Sequence, residues 1–180
     1  QFDRIKNAII RYVDKMLEIF ETVECHFVKG NHGGATDYGL GSTLTAWYRL
    51  EPRCKWNISK AELTQFTIYD NAIVLTHGAS ADSKSRFSPT RSAHNEQMGW
   101  RIFDMMSTEY GRPFKHKYIF VGDKHHARTE EYNGFELIQV GSMVKADKYA
   151  NDNILVSRPS QLVCIFDERG CVSRNPIYFD

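Results

Sequence analysis

Three loops carry the residues with which this sequence could do chemistry. They read Phe27-Val28-Lys29-Gly30-Asn31-His32, Ile73-Val74-Leu75-Thr76-His77-Gly78 and Ile119-Phe120-Val121-Gly122-Asp123-Lys124-His125-His126. Each begins as an apolar run with strand character and ends in a glycine-containing loop bearing histidine. In open α/β sheets ligands bind beyond the carboxyl ends of the strands. If the three strands lie side by side, Asn31, His32, His77, Asp123 and His125 converge at one mouth. Imidazole, carboxylate and amide oxygen together suit a borderline-hard cation such as Mn²⁺, Fe or Zn²⁺. A single strand-end histidine is more often a surface residue than a ligand. On spacing alone both readings stay open.

The elements needed to position these loops are legible in the pattern. Ile5, Ile9, Tyr12/Val13, Met16 and Phe20 recur at helical steps and predict an amphipathic helix from Phe2 to Phe20. Val23 to Val28 then reads as a strand. A short helix is expected over 42–50, and strands over Gln65–Tyr69 and Ala72–Leu75 joined at Asp70-Asn71. Ser88-Pro89 reads as an N-cap and first helical position, opening a helix that carries Trp100, Phe103, Met106 and Tyr110 on one face. Tyr118–Val121 is an apolar strand. Asn133-Gly134 sets up a hairpin between Arg128–Tyr132 and Phe135–Val140, and Glu168-Arg169-Gly170 sets up another between Gln161–Asp167 and Cys171 onward. Helix, strand and glycine-rich loop in succession is the punctuation of an α/β fold.

Composition removes several classes. The chain of 180 residues is 42% hydrophobic and 25% charged, which suits one globular domain with a core. Its net charge of +1 and pI near 7.9 give no basic arm, although a local groove could still be basic. The apolar runs are too short to span a bilayer, and the N-terminus does not read as a signal peptide, so no membrane partner is expected. Cys25, Cys54, Cys164 and Cys171 show no C-x-x-C spacing and are too few for a disulfide framework. A reducing, cytoplasmic setting is expected; Cys164 and Cys171 flank the last hairpin turn and could face each other across it, but two free thiols are the favoured reading.

Gly30-Asn31-His32, then a lone His77-Gly78 behind an apolar strand, then Gly122-x-x-His125 resembles the order of the later motifs of calcineurin-like metallophosphoesterases. The run Glu131-Tyr132-Asn133-Gly134-Phe135 leading to Val140-Gly141-Ser142 is similar to the hairpin that follows that family's last motif. Among members, the DNA-repair exonuclease subunits and phage-encoded relatives are most similar. The resemblance covers residues 1 to about 150. It implies an α/β two-sheet sandwich flanked by helices. The whole chain, 1–180, would form the C-terminal part of a single metallophosphoesterase domain, with the N-terminal strands and the first two metal motifs lying ahead of Gln1.

By resemblance, Asn31 and His77 would hold a second metal and His125 a first, while His32 would be the catalytic acid beside the scissile phosphate. The expected cofactor is a pair of divalent ions, Mn²⁺ or alternatively Zn²⁺ or Fe. Such a pair activates a bridging hydroxide for in-line attack on phosphorus. The expected substrate is a phosphoester, with nucleic acid favoured, which makes the activity that of a phosphodiesterase or nuclease. A homo-oligomer or a segment upstream of Gln1 could complete the site.

Two departures stand within the chain. Gly33 occupies the place of an acidic residue that often orients the preceding histidine, and Asp123 replaces the first histidine of the last motif, where a carboxylate could still be a metal ligand. Asp123-Lys124-His125 could also be the family's opening Asp-x-His in a permuted chain, but no Gly-Asp motif follows it. The departures suit an alternative function, a degenerate phosphoesterase fold that binds nucleic acid or protein without cleaving. Trp47, Trp56, Arg86 and Arg91 could line a nucleic-acid groove, although both tryptophans are expected to pack and both arginines to be solvated.

Overall fold

A computed structural model describes residues 2–30, 33–61, 63–78, 113–122, 125–132, 134–144 and 158–179. Asn31, His32, Arg86, Arg91, Asp123, Asn133 and the helix expected from Ser88 lie outside the described residues. The fold is mixed α/β, and the chain divides into two compact units, 1–64 and 65–180.

The first unit follows from an amphipathic helix, a second helix and a parallel strand pair. α1 (Phe2–Ile19) buries Ile10, Val13 and Leu17, a stripe spaced by three and four residues. β1 (Val23–Phe27) pairs in parallel with β2 (Cys54–Ile58), Val23 opposite Cys54 and Phe27 opposite Ile58. The crossover between them contains α2 (Ala35–Trp47), as a parallel connection requires. Leu40 and Leu44 of α2 and then Tyr48 close on the α1 stripe and on Cys54. The Tyr48 hydroxyl is satisfied by the Asp14 carboxylate at 2.8 Å and the Ile10 carbonyl at 2.9 Å, so its burial leaves no polar group unpaired.

Two elements differ from expectation. α2 begins at Ala35, not at residue 42, and β2 was not anticipated. Gly41 is buried where α2 meets β2: a Cβ there would come within 2.8 Å of Ile58. Glycine serves that close approach and does not interrupt the helix. β2 reads Cys-Lys-Trp-Asn-Ile, with too little flanking turn chemistry to mark it as a strand.

The second unit is organised by a five-stranded sheet in the order β3-β4-β5-β7-β6. Its strands are β3 (Leu63–Ile68), β4 (Asn71–Thr76), β5 (His116–Val121), β6 (Arg128–Tyr132) and β7 (Phe135–Gln139). β4 and β5 are parallel, with Asn71 opposite His116, and β5 and β7 are parallel, with Tyr118 opposite Glu136. β6 returns antiparallel through the expected hairpin turn, where Gly134 has a φ of 102° that favours glycine. The β3–β4 turn falls at Tyr69-Asp70, one position earlier than expected, with Tyr69 at φ 50°.

Both faces of the parallel strands are buried, which is why they read as continuous apolar runs. Ala72, Val74, Ile119, Val121 and Leu137 fill one face, and Ile73, Tyr118 and Ile138 fill the other. A second sheet, the hairpin of β8 (Ser160–Asp167) and β9 (Gly170–Tyr178), packs Leu162, Phe166 and Cys171 on the latter face. Phe166 meets Tyr118 edge-on at 5.2 Å between centroids, and the Tyr118 hydroxyl accepts the Cys171 N–H at 2.9 Å. Arg174 forms a two-pronged ion pair with Glu136 from hairpin to sheet. Asn71, fully buried, donates to the Ile68 carbonyl at 2.9 Å and the Asp167 carbonyl at 2.8 Å, tying the β3–β4 turn to the hairpin turn. Cys164 and Cys171 do lie together on the hairpin as free thiols, and burial pushes Cys164 up to about 12. No described helix is long and apolar enough to cross a membrane.

The α2 glycines make opposite predictions. Gly39 has nothing within 4 Å of an added Cβ, so Gly39→Ala should stabilise by ~0.5–1 kcal/mol by restricting the unfolded chain. Gly41→Ala should destabilise, because Ile58 must move. Urea denaturation of both variants checks this, and a stabilised Gly41→Ala would contradict the packing of α2 on β2.

Candidate functional site

Parallel pairing brings the carboxyl ends of β4, β5 and β7 to one edge of the second unit. The ladder runs a step past the strands: the Gly122 N–H donates to the Thr76 carbonyl at 3.2 Å, and the Val140 N–H to the Val121 carbonyl at 2.9 Å. His77 and Gly122 are therefore neighbours. A Cβ on Gly122 would stand 3.3 Å from the His77 carbonyl oxygen and 3.8 Å from its Nδ1. The half-buried imidazole thus lies against a backbone that has no side chain to displace it.

Beyond Gly122 the chain turns back towards β6. His125 is exposed and has φ 58°, a left-handed conformation that histidine tolerates better than most residues and that recurs at binding loops. The next residue anchors this turn, for the His126 carbonyl accepts a hydrogen bond from Gln139 Nε2 at 2.7 Å. Gln139 is itself 1% exposed at the end of β7. Of the expected ligands, His77 directly follows β4, and His125 lies ahead of β6 beside His126, whose carbonyl Gln139 at the end of β7 holds. Among the described residues no three His, Cys, Asp or Glu side chains form a group that could hold a metal. Asn31, His32 and Asp123, the other members of the expected set, lie outside those residues.

The first unit has its own carboxyl edge, where the Ser59 N–H donates to the Phe27 carbonyl at 3.0 Å as β1 and β2 end. Lys29, Gly34, Ala35, Tyr38, Ser59 and Lys60 line a cavity of about 290 Å³ there, with the Lys60 ammonium 5.4 Å from the Tyr38 ring centroid. α2 starts at this edge with Gly34 as its N-cap and no side-chain cap. Asp37, in its first turn, reaches back so that its carboxylate accepts the Gly30 N–H at 3.0 Å. Cations from Lys29 and Lys60, an aromatic ring and a helix N-terminus form surroundings suited to an anionic group.

Sequence reasoning passed over Asp37, Lys29, Lys60 and Gln139. Asp37 enters the first turn only because α2 starts at Ala35 and not at residue 42, and Gln139 had no signal, since its role depends on register. Trp56 packs as expected, half-buried and stacked on Tyr48 at 5.9 Å between ring centroids, but Trp47 is 60% exposed and does not pack. The cause is α2's true extent, which puts Trp47 at its last, solvent-facing position.

No family model matches this sequence, and no curated protein matches it. Solved structures do. Wild-type Vps29 from Entamoeba histolytica complexed with Zn²⁺ is 19% identical with a TM-score of 0.46, over 94% of this chain and 88% of that one. A single mutant of the same protein is 19% identical with a TM-score of 0.45, over 89% and 83%. Vacuolar Protein Sorting 29 from Cryptosporidium parvum is 15% identical with a TM-score of 0.38, over 72% and 62%. At these values nothing about activity transfers, and what the chain does must be argued from its own residues.

The seating of His77 on Gly122 is directly testable. Gly122→Val should overpack the edge and cost ~1–3 kcal/mol. The measurement is equilibrium unfolding in urea, and an unchanged midpoint would mean that His77 does not lie against Gly122.

Proposed function

We propose that this chain is a metallophosphoesterase-type scaffold that binds a divalent cation at the carboxyl edge of its parallel strands and uses it to engage phosphate groups of a nucleic acid. The observation that carries the reading is the seating of His77 against Gly122, at the head of the loop that holds Asp123 and His125. His77, His125 and Asp123 supply imidazole and carboxylate, a donor set that fits Mn²⁺ or Zn²⁺. The bound ion would supply a positive charge for the phosphate. Lys29 and Lys60, on the edge of the first unit, are further cations of the kind that phosphate contacts use.

Holding without cleaving is the finer reading adopted here, and Asp123 favours it. A two-ion hydrolase needs both ions in place to make and use a bridging hydroxide. A carboxylate in place of an imidazole leaves an extra negative charge beside the incoming phosphate, which opposes the attack of an anionic nucleophile. Metal-dependent hydrolysis is the second reading. His32 favours it, as a group whose ordinary pKa lies near working pH and which has no evident use in simple binding.

Three measurements on the full chain separate the readings. Calorimetric titration with Mn²⁺ should show binding that His77→Ala weakens by about tenfold or more. Mn²⁺ should also tighten binding of a labelled single-stranded oligonucleotide, with no product formed at saturating metal. If His77→Ala titrates like the unaltered protein, the metal site is wrong. If the unaltered protein turns over bis(4-nitrophenyl) phosphate and His32→Ala lowers the rate ~10²–10⁴-fold while metal content holds, the hydrolase reading replaces the binding one.

A further inference from the structure

Two buried polar atoms at the start of the parallel strands lack a protein partner. Asn71, fully buried, gives both amide protons to the carbonyls of Ile68 and Asp167, so its Oδ1 is the atom left over. That oxygen is buried and unbonded, and so is Nε2 of His116. The two residues are direct partners across the β4–β5 pairing, and their side chains leave the same face of the sheet. The turn of the β8–β9 hairpin covers both. Asn71 bonds Asp167 there, and a Cβ built on Gly170 would stand 3.6 Å from Cγ and Nδ1 of His116. The same Cβ would stand 2.7 Å from the Tyr118 hydroxyl oxygen. Buried polar atoms are ordinarily hydrogen-bonded, to protein or to ordered water.

We infer that this place is a binding site for one internal water molecule, which bridges Asn71 Oδ1 and His116 Nε2. Water fits better than a direct bond or an ion. The two atoms do not bond one another. One amide oxygen and one ring nitrogen are too few for a cation, which takes four ligands or more. Water donates one proton to Asn71 Oδ1. It then meets His116 in either ring tautomer, accepting when Nε2 carries the proton and donating when it does not. Internal waters typically satisfy such otherwise unpaired groups. A cavity of about 310 Å³, with His116, Tyr118 and Glu136 in its lining, runs alongside and gives solvent a way in. The Tyr118 hydroxyl accepts the Cys171 N–H at 2.9 Å and still has its own proton to give, a third polar group at the rim. The water links β5 through Asn71 to the hairpin turn at Asp167. It secures the β4–β5 register at the end of the strands opposite to the proposed cation edge, and it does not depend on that proposal.

A crystal structure of the full chain that shows ordered water tests this directly. The expected result is a water peak about 2.7–3.2 Å from both Asn71 Oδ1 and His116 Nε2. A dry site, or Asn71 and His116 bonded to each other, would overturn the inference. Two variants give an independent reading in solution. His116→Phe keeps a ring and removes the nitrogen, and it should lower the thermal midpoint by ~3 °C or more. His116→Gln, whose side-chain amide can still bond water, should lose less than half as much. An unchanged midpoint in His116→Phe would mean that Nε2 needs no partner. Equal losses in both variants would mean that the shape of the ring matters and its nitrogen does not. Either result would also overturn the inference, whether or not the protein binds a metal.

Discussion

Everything at the candidate site depends on the parallel pairing of β4, β5 and β7. Antiparallel neighbours would send alternate loops to opposite ends of a sheet, whereas these three release their chains at one edge. The pairing also explains the composition of the strands. Burying both faces requires apolar residues at successive positions, and Ala72 to Leu75 and Tyr118 to Val121 provide them. A one-residue slip of β5 against β4 would exchange its faces and carry Gly122 away from His77. The hairpin of β8 and β9 guards against such a slip by gripping β5 through Tyr118, with Phe166 on the ring and the Cys171 amide on the hydroxyl.

Each unit repeats one device at different scale: parallel strands, a carboxyl edge, and a glycine that lets two groups come closer than a side chain would allow. In the first unit Gly41 admits Ile58 and Gly33 admits Asp37, while in the second Gly122 admits His77. The polar atoms that come close are paired in at least two of the surrounding contacts. Asp37 receives the Gly30 amide and Gln139 holds the His126 carbonyl, so hydrogen bonds from α2 and β7 reach the described residues beside these loops.

Much of the fold was legible because its signals are local. The three-and-four spacing of Ile9, Val13 and Met16 marks α1, the apolar runs mark β4 and β5, and Gly134 and Gly170 mark both hairpins. β2 and the start of α2 were not, because each depends on a partner. Cys54 to Ile58 becomes a strand by pairing with β1, and Gly41 gives Ile58 room against α2. The site divides along the same line. His77 and His125 stand out by residue type in glycine-containing loops, whereas Asp37 bonds the Gly30 amide across a turn and lies ahead of the helix that the sequence marks over 42–50.

The central claim is that a divalent cation binds at the edge where His77 rests on Gly122. A crystal of the full chain grown with Zn²⁺ and measured at the zinc absorption edge tests it most directly. The account predicts an anomalous peak at about 2.0–2.1 Å from an imidazole nitrogen of His77, the usual Zn–N distance, with His125 or Asp123 also in its coordination sphere. A peak elsewhere, or an edge with no peak while His77 keeps its place on Gly122, would contradict it.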